Sequence, residues 1–161
     1  MRQPVRTVVA LALSVAVQTA AVQAASAQSA QGADWKVSEA AGQVLVVSGH
    51  SESTARAGML VPAGATLTTG PGARAVVVRG RDFMTVNANS RVRIPTPQEK
   101  GSGLFDVLEE WGNALFQIEK RPDPHFGVRT AYLAAVVKGT TFSVTVTEQG
   151  ASLQVVEGAV E

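Results

Sequence analysis

The sequence predicts an all-β fold, a jelly-roll-like β-sandwich with one short inserted helix at about residues 103–112. Three observations carry this. Short Val- and Thr-rich runs recur through the chain, Gly, Pro and Ser clusters separate them at close spacing, and a single window shows helical periodicity.

Taken in order, residues 1–27 read as a cleaved secretory signal peptide. Arg2 and Arg6 form a basic n-region, an apolar stretch runs from Val8 to Val17 broken only by Ser14, and Ala25-Ser26-Ala27 gives an A-x-A cleavage pattern. A membrane span needs about 20 apolar residues, and Gln18, Thr19 and Gln23 interrupt this one. The two arginines are not adjacent, and the chain has no Cys to carry a lipid anchor. The expectation is therefore export to the periplasm with no stable membrane insertion after cleavage.

Residues 28–41 are expected to form an N-terminal arm and leading strand, and 42–161 the β domain. Strand-like runs follow at Gln43–Val47, Thr66–Thr69, Ala73–Arg79, Phe83–Val86 and Arg91–Ile94. Turn chemistry separates them at Gly49, Gly58, Pro62-Ala-Gly64, Gly70-Pro-Gly72, Gly80 and Asn87-Ala-Asn89. Strands at this spacing argue for a sandwich or barrel.

One window departs from that period. Leu104, Val107, Leu108, Trp111 and Leu115 fall at helical spacing, with Asp106, Glu109, Glu110 and Asn113 on the opposite, solvated face. Ser102 suits an N-cap and Gly112 a helix stop. This helix is expected to pack across an open end of the core. Alternation then resumes at Phe116–Glu119.

The last third reads strand, Gly-centred turn, strand, turn, strand, from Phe126 to Val146 and on to Val156-Glu-Gly-Ala-Val160. Within it, Ala134–Phe142 repeats the pattern A-x-V-V-(K/R)-G-x-x-F of Ala75–Phe83. Two comparable halves facing each other would produce such a pair, and so would coincidence among Val-rich strands. The chain stops on Gly158-Ala-Val-Glu161 inside an expected strand, the pattern of a truncated product.

Without residues 1–27 the 14 Lys and Arg become 12, against 13 Asp and Glu, a formal charge of −1. That excludes the dense cationic field that nucleic-acid binding requires. With no Cys there is no disulfide framework, so the core alone must hold the fold. Its two histidines, His50 and His125, are far apart, and zinc needs three or four ligands at defined spacings. Ser48-Gly-His-Ser-Glu-Ser53 sets hydroxyl, imidazole and carboxylate side by side, but sequence neighbours on a loop do not make a relay. Gly70-Pro-Gly72 and Gly101-Ser-Gly103 lack the Lys-Ser/Thr of a phosphate loop. No enzyme activity, cofactor or metal is expected.

The run Val137-Lys-Gly-Thr-Thr-Phe142, with Val156-Glu-Gly-Ala-Val160 and Leu60-Val-Pro-Ala-Gly-Ala-Thr-Leu-Thr-Thr69, resembles the FecR domain family over roughly Gly42 to Glu161. Val137, Lys138, Gly139, Thr140, Phe142 and Gly158 are the motif positions, and the resemblance implies a structural role for them. Ala131 stands where the family usually has Pro, and Ala63 near a common Asp. The resemblance implies a β domain that senses or regulates from the periplasm, in its best-known form within iron-uptake-type transmembrane signalling. Here a leader replaces the usual cytoplasmic anti-sigma region. An envelope protein is the implied partner.

Charge offers a second reading. Arg79 and Arg81 lie two apart, as do Arg91 and Arg93. Positions i and i+2 of a strand share a face. Strands pairing across Phe83–Asn89 would gather four guanidinium groups into a face for carboxylate or phosphate, suited to peptidoglycan, an envelope polysaccharide or another anionic polymer. The alternative is a solvated face whose charges protect a sheet edge.

Overall fold

The computed structural model describes residues 34–100, 104–158 and 160. The expected leader, the arm up to residue 33, Ser102 as a cap and the terminal Glu161 lie outside them. Among the described residues the strands are β1 Trp35–Ala41, β2 Val44–Ser48, β3 Ser51–Thr54, β4 Leu60–Val61, β5 Thr66–Thr69, β6 Arg74–Arg79, β7 Asp82–Val86 and β8 Arg91–Arg93. One helical turn, α1 Pro97–Lys100, precedes β9 Phe105–Gln117, β10 Phe126–Arg129, β11 Ala134–Val137, β12 Thr141–Thr147 and β13 Gly150–Glu157.

Alternation explains most of these strands. In β2, Val44 and Val46 point inward, and β12 does the same with Phe142, Val144 and Val146. The strands stack into two sheets. One runs β4-β1-β6-β7-β9-β12-β13 and the other β3-β2-β5-β8-β9-β10-β11, every pair antiparallel except β9 with β10. Strand β9 belongs to both. Its first half pairs with β8 and β10, and its second half with β7 and β12. The all-β sandwich is thus present, closed by one strand that crosses between its layers.

The core between the sheets is Val-rich around an aromatic chain. Phe116 stacks on Phe142 at 5.0 Å, Phe126 lies 5.8 Å from Phe116, and Trp35 meets Phe126 edge-on at 6.3 Å. All four are fully buried, each contributing about 1.5–3 kcal/mol by the transfer scale for large apolar side chains.

The expected helix at 103–112 is a correction. From Phe105 onward the segment is strand, and the short helix lies just before it at Pro97–Lys100. Two irregularities produce the misleading spacing. The register of β8 against β9 shifts between Arg91 and Val92, so Glu110 is bulged out, and Gly112 then turns the backbone at φ 92°. Inward positions are therefore Val107 and Glu109 before the crossing, and Ala114 and Phe116 after it. A period of two with one slip imitates a period of 3.6. Gly112 is the crossing point between sheets and stops no helix. A Cβ there would sit 2.2 Å from Ser90 Oγ and 2.5 Å from Ser90 Cα. The helix that does form has its own signature. Thr96 Oγ1 accepts from the Glu99 amide at 3.3 Å, Glu99 Oε2 accepts from the Thr96 amide at 2.8 Å, and Pro97 opens the turn.

The internal repeat does not mark two equivalent halves. Ala75–Phe83 is a hairpin within one sheet, whereas Ala134–Phe142 leaves β11 in one sheet and enters β12 in the other. Phe83 is half-exposed and Phe142 is buried.

Candidate recognition surface

The four candidate arginines separate. Arg79 ends β6 and Arg81 lies in the β6–β7 turn, and β6–β7 belongs to one sheet while β8, with Arg91 and Arg93, belongs to the other. Each guanidinium also has a carboxylate. Arg81 meets Glu119 at 2.9 Å, Arg91 meets Glu110 at 2.7 Å and Arg93 meets Glu99 at 2.7 Å. Hydrogen bonds from the Thr96 amide and hydroxyl, with Arg93 beside them, lower the Glu99 carboxyl below its usual range. Arg81 and Arg121 do the same for Glu119.

Arg79 is different in kind. It bonds Asp106 at 2.9 Å and Asp82 at 3.3 Å, and its guanidinium lies 4.8 Å from the Trp35 ring centre and 5.5 Å from that of Phe126. Lys100 shares Asp106 at 2.6 Å, and Asp82 accepts the Glu119 amide at 3.0 Å. The cluster ties the two sheets together at one end. A single four-arginine face is therefore not assembled.

The expected solvated acids of 104–115 are also corrected. Asp106 is nearly buried in the Arg79 cluster, and Glu109 is 1% exposed. Neither Glu109 oxygen closes a hydrogen bond. Burial pushes its carboxyl up to about 9, against a weaker opposing pull from the Ala114 backbone. Only Glu110 keeps the solvated position, beside Arg91. Asn113 donates to Thr145 Oγ1 at 2.7 Å and to the Val144 carbonyl at 3.1 Å, and it accepts from Asn87. His50 sits on the exposed β2–β3 turn, and His125 is half-buried just before β10.

The motif residues form the corner where the chain passes from β11 to β12. Val137 is buried and pairs with Phe126, and Phe142 fills the aromatic stack. The Lys138 carbonyl accepts the Arg121 amide at 2.6 Å, and that of Thr140 accepts the Ile118 amide at 3.1 Å. Gly139, at φ 143°, lies so close to Lys120 that a Cβ would stand 2.2 Å from its Cα. Gly158 packs on the same corner, a Cβ there falling 2.9 Å from the Gly139 carbonyl oxygen.

The sheet edges differ in what they offer. Strand β4 has two residues, β3 and β11 have four each, and β13 has eight. Among the described residues β13 pairs only with β12, leaving its other edge unpaired. Gly150-Ala-Ser-Leu-Gln-Val-Val-Glu157 contains no Lys, Arg or Pro, the residues that usually guard an edge, and Val155 and Val156 are 41% and 68% exposed. Sequence reading places the closing strand at Val156–Val160, whereas it runs Gly150–Glu157, and does not mark its edge as a contact surface.

No curated protein and no solved structure matches the chain. A family model described as FecR protein matches residues 65–161, from the strand β5 region through the motif corner and β13. That is more than half of the chain, and it contains the Gly139 corner on which the resemblance was drawn, so this protein belongs to the FecR family.

Proposed function

We propose that this chain is an exported, non-enzymatic periplasmic module that recognises another envelope protein, taking an extended segment of that partner along the open edge of β13. The carrying observation is that edge: eight residues, one side unpaired, exposed valines, no lysine, arginine or proline, and a single charge at its end, Glu157. Such an edge presents a row of free N–H and C=O groups, and an added strand satisfies them whatever its side chains. Membership of a family of signalling and regulator-type modules supports a protein partner, and the leader pattern at residues 1–27 supports export.

Proximity labelling in the periplasm identifies the partner, and Val156→Lys tests the edge. A lysine on that exposed position is expected to weaken the purified complex at least about tenfold, or ~1.4 kcal/mol, with the melting temperature unchanged. Undiminished binding by the variant would remove β13 from the interface.

A further inference from the structure

With the four candidate arginines engaged by carboxylates, any open cationic site must lie elsewhere in the fold. A cleft of about 520 Å³ opens at the motif corner, walled by Ile118, Pro124 and Val136 and edged by Lys120, Lys138 and Thr141. Lys120 follows β9 and Lys138 follows β11, so elements from both sheets bring the two lysines to the lining of one cleft. Among the described residues neither lysine has a carboxylate within ion-pair distance, whereas Arg74, Arg79, Arg81, Arg91, Arg93, Lys100 and Arg121 all do. Among the described residues Glu157 is the one acid on the lining, against two lysines.

The corner is also tightly packed. Gly139 and Gly158 press their backbones against Lys120 and Thr140 at distances no side chain would permit. Such close packing favours a preformed backbone for the lysines, which reduces the ordering cost of binding.

We propose that this cleft binds a sugar-sized polar ligand carrying one oxyanion, a carboxylate or a phosphate. The volume lies in the range of small-molecule sites. Lysine serves such groups as a point charge, the Thr141 hydroxyl offers a neutral hydrogen bond, and the apolar wall suits one face of a ring. The cleft reaches β13 at its last residue, Glu157, but the two lysines that carry it lie outside that strand, so the two readings are tested by different substitutions and either can fail without the other.

The test titrates the exported chain with glucuronate, glucose 6-phosphate and glucose, following backbone amide shifts by NMR and heats by calorimetry. Up to about 10 mM is sufficient, since a site of ~1 mM affinity is then about nine-tenths filled. One or both acids are expected to shift the amides of Gly139, Thr140 and Thr141, with glucose inert. A response to glucuronate alone assigns the carboxylate, and one to glucose 6-phosphate alone assigns the phosphate. Lys120→Gln with Lys138→Gln should weaken binding at least about tenfold, and added salt should weaken it in the unmodified protein. The site is overturned if neither acid moves those amides, if glucose moves them equally, or if the folded double variant binds as before.

Discussion

Arg79 on β6 and Asp106 on β9 close a 2.9 Å ion pair across the two layers, and both side chains are largely shielded from water, at 14% and 12% exposed. Removing Arg79 would leave Asp82 without its cation and Asp106 with Lys100 alone. Arg79→Ser is therefore expected to lower the unfolding free energy by about 3–5 kcal/mol. Arg91, 59% exposed beside Glu110, should tolerate Ser within about 0–1 kcal/mol. Urea denaturation of both variants separates the two roles, and equal losses would contradict the clamp.

Gly139→Val should destabilise by at least about 1–3 kcal/mol, the usual cost of an enforced backbone conformation. The first atom of any side chain meets Lys120 Cα at 2.2 Å. Gly72, at φ 66° with open space around it, carries only the conformational part of that cost. Gly72→Ala should therefore lose less than Gly139→Ala in the same denaturation measurement.

Glu109 gives the fold a pH signature. In the folded chain its carboxyl holds a proton up to about pH 9, while an unfolded chain releases it near 4.5. Between those values each rise in pH favours the unfolded state, by at most about 1.4 kcal/mol per pH unit. Stability should fall from about pH 5 towards 9. Glu109→Gln, which has no proton to lose, should flatten that fall. A profile unchanged by the substitution would place the titration elsewhere.

Export has a direct readout. Mass spectrometry of the periplasmic protein should find Gln28, or a position within a few residues of it, at the N-terminus. Recovery of the full-length chain in the membrane fraction would contradict cleavage after Ala27.

Where strands alternate without interruption, the sequence was legible nearly to the residue. Thr66–Thr69 and Phe83–Val86 stand where their polarity pattern puts them, as β5 and most of β7. Leu104–Leu115 was not legible, because the bulge at Glu110 and the turn at Gly112 depend on β8 and Ser90, which no local pattern reveals. The i, i+2 rule failed for Arg79 and Arg81 because Gly80 and Arg81 are themselves the hairpin turn. Gly139 was legible only as a motif position whose structural role the family resemblance implied, and the structure sets it against the backbone of Lys120. The meeting of Lys120 with Lys138 had no sequence signal, since only the crossing from β11 to β12 brings them together.

Because β9 is a member of both sheets, the sandwich has no seam along which its layers could part. Opening either layer must break hydrogen bonds to the same thirteen-residue segment. Amide hydrogen exchange should then be slowest along β9 and approach the rate of global unfolding there. Pulling on β13 would likewise be felt two strands away, at the one element both layers share.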